Sequence, residues 1–550
     1  TRRSSDLNNN SIYITETSNG EILDTDKYYY FATRDMNIFR YTSTGNNNQG
    51  LAFSNLAVNK PFTVTGVAVN GTTVAGILNI SNNFTASNDI TIENIKIYGP
   101  NSAGSSNTSL GSNSRTSNSI YANSHNLKIG RNVTSSRNTT YLVAYSIMGG
   151  TNNAGPSGTF RVIVESGFYY AYHSGATSGS SNYTLNETTI LGNDYDRINT
   201  TNNKFKLLIG LDGYAGGHHT AGSDSLFASF TTVKSGMLGY NSDGTANSDN
   251  TAGMYIGGRA STCVNSLTGA KVEGGLVNTI VGGYGYNGTV DTNSTYIGMS
   301  GGTVRAIYGG AGHSTTKGNR IINVTGGTVS YSVLGGSDSY SSSATDDGVV
   351  QGSTLVYVGG TVLVGDGSTG ELNGVESGSV FGAGGGNSNP NATSKGTVYN
   401  SHVIINGGTI ATSVYGGGNF GSTGTQSTSS ASTVIDVYAG SIGSIYGGSK
   451  SAGFSKSAYE ATSAIDINIT GGTIGSVYGG SNTTGTVYGS VDMDITGGTI
   501  TGNVYGGGQG ASTVVSNDVD ITIGNATTGP TIAGSVYGGS AFGTVNSQNS

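Results

Sequence analysis

One repeated pattern dominates the C-terminal half of the chain: a short β-branched run, then Gly-Gly-Thr-Ile or Gly-Gly-Thr-Val, then Val-Tyr-Gly-Gly. The clearest copies read INGGTIATSVYGGG at 405–418, ITGGTIGSVYGGS at 469–481 and ITGGTITGNVYGGG at 495–508. A unit of this length cannot bury its own apolar face, so successive units must stack on one another. The repeat therefore predicts an all-β parallel β-helix, or β-solenoid, built of stacked coils.

Each repeat also carries a strand signal of period two. Over 465–469, Ile residues alternate with Asp466 and Asn468, and the same alternation recurs over 491–495 and 519–523. Successive side chains of a strand point to opposite faces of its sheet. We therefore expect the aliphatic residues to face the core and the Asp and Asn residues to face outward.

The outward residues predict columns of carboxylates along the stack. A constant spacing predicts one column of Asp466, Asp492 and Asp518, beside a second column of Asp436, Asn468, Asp494 and Asp520. Calcium takes about six to eight oxygen ligands and suits such a surface. The hypothesis is a Ca²⁺ ladder whose ligands are Asp466, Asp492, Asp494, Asp518 and Asp520. The alternative is an acidic, soluble face that discourages lateral association.

Further columns follow from the repeat. The aromatic position predicts a stack, and the Thr of Gly-Gly-Thr predicts a second line of identical side chains. The aromatic column comprises Tyr308, Phe381, Tyr415, Tyr446, Tyr478, Tyr505 and Tyr537, and the Thr column comprises Thr303, Thr328, Thr361, Thr409, Thr473 and Thr499. The Gly-Gly pairs are expected at corners that need a positive φ or a close approach of backbone.

Composition excludes several classes of protein. The chain has 93 Gly but only 5 Pro, without the every-third-residue Gly of collagen. The net charge is −7 and no basic cluster follows Arg2 and Arg3, which argues against nucleic acid as a partner. The sequence contains no apolar run of about 18 residues, so it predicts no transmembrane helix. Cys263 is the only cysteine, and the chain opens at Thr1 without a signal peptide, so we expect a leader to have been removed.

The degree of regularity divides the chain into three parts. Residues 1–60 are the least repetitive and are expected to form an irregular N-terminal cap. Residues 61–290 contain degenerate repeats and polar stretches, which predicts a degenerate β-solenoid with long loops. Residues 291–550 contain the regular repeats.

The Gly-Gly-Thr-Ile/Val and Val-Tyr-Gly-Gly units resemble the β-strand repeats of large bacterial cell-surface proteins, similar to adhesins and autotransporter passenger regions. The resemblance covers 292–543 well and 140–290 loosely. It implies an elongated, extracellular, secreted protein without enzymatic activity.

Two functional classes then compete. The first is a structural protein of a cell-surface filament, sheath or layer whose copies join end to end. The second is an adhesin stalk or fibre that binds glycans, other cells or host surfaces. Parallel β-helices include polysaccharide lyases and hydrolases, but such sites gather two or three carboxylates with a Lys or Arg in one pocket. The regular Asp columns lack that grouping, so we predict neither catalytic nor cofactor-binding residues.

Overall fold

The computed structural model is all-β. It describes residues 12–13, 29–30, 51–52, 62–65, 77–79, 84–86, 88–98, 120–135, 144–149, 160–173, 229–240, 253–256, 267–283, 290–291, 294–311, 315–316, 319–338, 348–367, 371–372, 374–386, 396–424, 433–451 and 465–545. No helix occurs among these residues, and none of them could therefore cross a lipid bilayer as a helix. The predicted cap at 1–60 lies almost entirely outside this set, as does Cys263.

The first strands are short. In chain order they are β1 Ile12–Tyr13, β2 Tyr29–Tyr30, β3 Leu51–Ala52, β4 Phe62–Thr65, β5 Ile77–Asn79, β6 Phe84–Thr85, β7 Ile90–Glu93, β8 Lys96–Tyr98, β9 Ile120–Tyr121, β10 Leu127–Ile129, β11 Thr134–Ser135, β12 Ala144–Met148, β13 Phe160–Val164, β14 Phe168–His173, β15 Ser229–Val233, β16 Met237–Leu238, β17 Gly253–Tyr255, β18 Leu267–Val272, β19 Leu276–Gly283 and β20 Val290–Asp291.

The strands of the regular repeats follow, several of them long. They are β21 Ser294–Ala311, β22 Thr315–Thr316, β23 Arg320–Val329, β24 Val333–Leu334, β25 Val350–Val364, β26 Glu371–Leu372, β27 Val375–Glu376, β28 Val380–Phe381, β29 Val398–Tyr415, β30 Thr433–Tyr446, β31 Ile465–Ile469, β32 Thr473–Tyr478, β33 Thr484–Val487, β34 Val491–Ile495, β35 Thr499–Ile500, β36 Val504–Tyr505, β37 Ser512–Val515, β38 Val519–Ile523, β39 Thr531–Ile532, β40 Val536–Tyr537 and β41 Thr544–Val545.

Nearly all described pairings are parallel, and each repeat pairs with the repeat before and after it. The hairpin of β26 and β27 is the antiparallel exception among the described strands. Each of the last repeats contributes strands to three separate ladders. In one repeat these strands are β34, then β35 with β36, then β37. This arrangement is β-helix-like.

The period-two prediction is confirmed in the regular repeats. One inner column runs through Ile297, Ile322, Val356, Val403, Ile435, Ile467, Met493 and Ile521, each paired with the next in register. Its members from Ile297 to Met493 are buried in one continuous aliphatic core, against which Ile521 packs partly buried. Each aliphatic residue therefore lies between its counterparts in the neighbouring repeats.

The two glycine pairs of the repeat serve different purposes. The second Gly of Gly-Gly-Thr lies in the left-handed region, as at Gly472 with φ 88° and Gly498 with φ 84°. Glycine is favoured there because a Cβ strains a positive φ. The first Gly after Tyr has no positive φ, but a Cβ on Gly479 would lie 2.2 Å from the carbonyl oxygen of Gly506 in the next repeat. Close approach of backbone requires this second glycine.

The predicted Thr column is wrong at one position. Thr328 pairs with Leu363, and Leu363 pairs with Thr409, so Leu363 occupies the place given to Thr361. The ladder is irregular on both sides of this strand because two extra residues separate the glycine pair from the column position. Thr361 is exposed instead. The column also contains Ser441, between Thr409 and Thr473.

Candidate functional site

The carboxylates of the C-terminal repeats lie on the outer face of β30, β31, β34 and β38. Asp466 pairs with Asp492, and Asn468 pairs with Asp494, as the sequence predicts. Alternation places them there, because the residues between them are aliphatic and buried. Asp492 and Asp494 are exposed, whereas Asp466 is partly buried.

The predicted columns are wrong at their last step. Asp492 pairs with Asp520, and Asp494 pairs with Thr522. Asp518 precedes β38 and lies outside both columns, where its backbone oxygen accepts a hydrogen bond from the Val491 nitrogen at 2.9 Å. The constant spacing failed because the last repeat places two extra residues before the strand. The register thus moves Asp520 into the column that was assigned to Asp518.

A series of hydrogen-bonded side chains joins the two columns at the end nearer the N-terminus. The Nε2 atom of His402 lies 2.8 Å from Oδ2 of Asp436. The Nδ2 atom of Asn468 donates to Oδ1 of Asp436 and to Oδ1 of Asp466, both at 3.0 Å. The amide therefore bridges two carboxylates that are diagonal neighbours on adjacent strands.

Sequence reasoning missed His402, which is buried with 1% exposure. It pairs with Val434, so Asp436 is its diagonal neighbour on the same face. A period-two count along 398–405 would have placed His402 on that face. Only the register between β29 and β30 shows which carboxylate it meets.

Burial and like charge shift the pKa values in this column. Burial, followed by the carboxylates of Asp436 and Asp492, raises the pKa of Asp466 to about 6 from 3.8. Burial, then Asp494 and Asp520, also raises the pKa of Asp492. The hydrogen bond from Asn468 opposes the rise in pKa at Asp466 without cancelling it.

The described residues hold no cluster of three or more His, Cys, Asp or Glu side chains placed to bind a metal ion. The Asp side chains follow the stack instead of converging on one point. Calcium coordination by Asp466, Asp492, Asp494, Asp518 and Asp520 stays a prediction, and the displacement of Asp518 from the columns removes one of its proposed ligands from the ladder.

The predicted aromatic stack forms over six successive repeats. It comprises Phe381, Tyr415, Tyr446, Tyr478, Tyr505 and Tyr537, with ring centroids 4.8–5.1 Å apart and interplanar angles of 4–11°. Tyr308 belongs to the same ladder but is separated from Phe381 by Leu334. Such stacked pairs contribute about 0.5–1.5 kcal/mol each beyond the area they bury.

The stack belongs to a second apolar cluster, separate from the aliphatic core. Tyr hydroxyls at its edge are held by residues two repeats further along: Asn482 donates to the Tyr415 hydroxyl at 2.7 Å, and the Tyr446 hydroxyl donates to Gln509 at 2.6 Å. The rings in the middle of the column, from Phe381 to Tyr478, are therefore buried inside the protein. This orientation was open from the sequence because the side-chain phase is lost at the glycine corner.

The last repeat that the structure describes exposes apolar side chains. Val536, Tyr537 and Phe542 are exposed by 44%, 47% and 76%. A Cβ placed on Gly538 or Gly539 would meet nothing within 4 Å. We call these residues, together with Ile523, the end surface. It combines a strand edge, an aromatic ring and glycine backbone, all of which contact the preceding repeat, with empty space at the Cβ positions of Gly538 and Gly539.

Comparison with known proteins identified no relative of this chain. No protein-family model, curated protein or solved structure matches the chain.

Proposed function

We propose that the chain is a parallel β-solenoid and an extracellular structural protein, whose copies join head to tail into a filament, sheath or layer on a cell surface. The continuous series of parallel pairings from β21 through β23, β25, β29, β30, β31 and β34 to β38 supports the solenoid. The resemblance of the Gly-Gly-Thr-Ile/Val and Val-Tyr-Gly-Gly repeats to those of bacterial surface proteins is the basis for proposing an extracellular location.

The end surface is the observation that carries this proposal. Inside the stack, the register partners of its aliphatic residues are covered by the next coil: Val504 and Ile495, which pair with Val536 and Ile523, are both fully buried. Burying a large aliphatic or aromatic side chain stabilises a protein by about 1.5–3 kcal/mol. The exposed Val536, Tyr537 and Ile523 therefore favour an occupant, and an open strand edge is a template for one.

The occupant with matching geometry is a coil of the same repeat. The space above Gly538 corresponds to the space above Gly506, where a Cβ added to Gly506 would lie 2.4 Å from the carbonyl oxygen of Gly538. The ring of Tyr537 continues a stack with a spacing of 4.9 Å. We propose that a second copy of the chain supplies this coil.

Strand direction selects the mode of association. Two end surfaces related by a twofold axis would pair their strands antiparallel, whereas the ladders of this protein are parallel. Parallel pairing requires the opposite end of the second copy. That contact is heterologous, so it propagates instead of closing into a dimer.

Negative-stain electron microscopy and sedimentation over a range of concentrations test the proposal. The wild-type chain should form rods that lengthen with concentration. Val536→Asp should shorten them because it places a charge in the proposed interface. Tyr488→Asp is the matched control, since Tyr488 is 40% exposed but is not part of the end surface.

The outcomes separate the two functional classes. Rods of one chain length at every concentration, or equal effects of the two variants, would reject head-to-tail assembly and leave the adhesin stalk as the better hypothesis. The same images recorded with a chelator test calcium: shortening of the rods on chelation would support a cation at the Asp columns, and unchanged rods would count against it.

A further inference from the structure

Five Asn-x-Thr sequons lie wholly within the described residues, and the structure distinguishes one of them. They begin at Asn132, Asn323, Asn468, Asn482 and Asn525. Such a sequence is an acceptor for N-linked glycosylation when its amide nitrogen is accessible. In a chain rich in Asn, Ser and Thr, the sequence alone gives no means of choosing among them.

The side-chain amide nitrogens of the first four sequons donate hydrogen bonds within the folded protein. The Nδ2 atom of Asn132 donates to Oδ1 of Asn94, and that of Asn323 donates to the hydroxyl of Tyr296, at 3.0 and 3.2 Å. Asn468 donates to the carboxylates of Asp436 and Asp466, and Asn482 donates to the hydroxyl of Tyr415. Each of these four nitrogens would have to leave its partner in order to enter the active site of a transferase.

Asn525 lies in a loop that is an insertion at one corner. Ile495 and Thr499 pair with Ile523 and Thr531, so the last repeat has four more residues between these positions than the repeat before it. The ladder continues up to Gly524, whose nitrogen donates to the Ile495 oxygen at 2.8 Å. The extra residues therefore project from the side of the stack, and all residues from Asn525 to Gly529 are exposed.

The loop holds the Asn525 side chain in one orientation. Its Oδ1 atom accepts hydrogen bonds from the Thr527 nitrogen at 2.9 Å, the Thr527 hydroxyl at 3.0 Å and the Thr528 nitrogen at 2.8 Å. Two of these donors are backbone N–H groups, which identifies the accepting atom as the oxygen. The Asn525 backbone nitrogen donates to the Thr528 oxygen at 2.7 Å and closes the turn.

We propose that Asn525 is an N-glycan attachment site of this protein. Its amide oxygen is anchored by the sequon Thr527, while its Nδ2 atom makes no hydrogen bond within the described residues and faces an open loop. The co-substrate is a sugar joined through its anomeric carbon to a pyrophosphate carrier. The Nδ2–C1 bond forms, the C1–O bond to phosphate breaks with its electron pair on the phosphate, and the Nδ2 proton passes to a base of the transferase.

The site is compatible with head-to-tail assembly but does not depend on it. The loop replaces the corner formed by Thr496, Gly497 and Gly498 in the preceding repeat, so it extends sideways from the proposed interface. A glycan there would cover the flank of the stack near the exposed Asp520.

Mass spectrometry of the chain secreted by its natural source tests the assignment. Chymotryptic cleavage isolates the segment between Tyr505 and Tyr537, and this peptide should carry a sugar mass on Asn525. Peptides that contain Asn132, Asn323, Asn468 and Asn482 should be unmodified. An Asn525 peptide without any sugar would overturn the proposal.

Treatment of the folded chain with an N-oligosaccharyltransferase and a lipid-pyrophosphate sugar tests the structural argument. Occupancy at Asn525 should exceed that at each of the other four sites by about tenfold, because each of those must first lose a hydrogen bond. Thr527→Ala should abolish the modification and Thr527→Ser should retain it. Equal occupancy at all five sites, or modification that survives Thr527→Ala, would contradict the assignment.

Discussion

The repeats that begin at Val491 and Val519 share most of their residue types and differ in what covers them. Val504 is fully buried in the first, whereas Val536, its partner in register, is 44% exposed in the second. Gly506 has the next glycine carbonyl close above it, whereas Gly538 has open space. Burial in this fold is therefore a property of the neighbouring repeat as much as of the residue.

This difference has an energetic consequence. In a stack of repeats, stability is approximately a sum of intrinsic terms and nearest-neighbour contacts. The same substitution should then lower the free energy of unfolding strongly at an internal repeat and only slightly at the last one. Paired variants at internal and terminal positions, measured at concentrations too low for chains to join end to end, give the contribution of the neighbour directly.

The aromatic stack should show the largest difference. Tyr446→Ala should lower the free energy of unfolding by about 4 kcal/mol, because it opens a gap between two stacked rings and removes the hydrogen bond to Gln509. Tyr537→Ala should cost no more than about 1 kcal/mol, since one face of its ring is open. Urea unfolding followed by circular dichroism gives both values, and equal losses would contradict the nearest-neighbour account.

The glycine after Tyr should show the next largest difference. Gly479→Ala should destabilise the protein by about 3 kcal/mol, because the new Cβ would lie 2.2 Å from the Gly506 carbonyl oxygen, on a backbone that is paired on both sides. Gly538→Ala has no such contact and no positive φ, so it should be neutral or slightly stabilising. Thermal unfolding of the two variants provides the measurement. A large loss at Gly538 would show that the end surface is already covered.

Replacement of Asp466 should have the smallest effect, and it should stabilise the protein where the preceding internal substitutions destabilise it. Its pKa is raised to about 6 in the folded protein, so between pH 3.8 and 6 the folded chain binds a proton that the unfolded chain lacks. The free energy of unfolding therefore falls as pH rises through this window. Asp466→Asn should stabilise the protein by about 1–2 kcal/mol at pH 7.5, after allowance for solvent screening, and by little at pH 4.

Asp518→Asn provides the control for this pH dependence. Asp518 is exposed and lies outside both carboxylate columns, so Asp518→Asn removes the same negative charge without changing either column. Unfolding midpoints measured at several pH values decide the question. An unchanged slope in Asp466→Asn would show that another group carries the titration.

Local pattern accounted for much of the fold. Alternation along 465–469 and 491–495 predicted which residues are buried, and the recurring Val-Tyr-Gly-Gly predicted an aromatic ladder, because strand geometry and repeat length act over a few residues. The glycine pairs were expected at corners or close approaches, and each of the two reasons applies to one pair.

Register was the part that residue counting could not settle. The counts placed Thr361 and Asp518 in columns that Leu363 and Asp520 occupy, because two-residue insertions shift the numbering without changing the alternation. The contact between His402 and Asp436 joins residues 34 apart and depends on the same pairing.

The sequence by itself thus determined the strands, their inner and outer faces and the aromatic column, since these follow from the two-residue period of a strand and the identity of the repeats. Only the tertiary structure decided which carboxylates are neighbours, that the Tyr column packs inside, and that the Asn525 amide nitrogen stays accessible while other sequon amides are bound. Those properties depend on how one repeat lies against the next, and a change of two residues in a connecting segment alters them while leaving every local pattern intact.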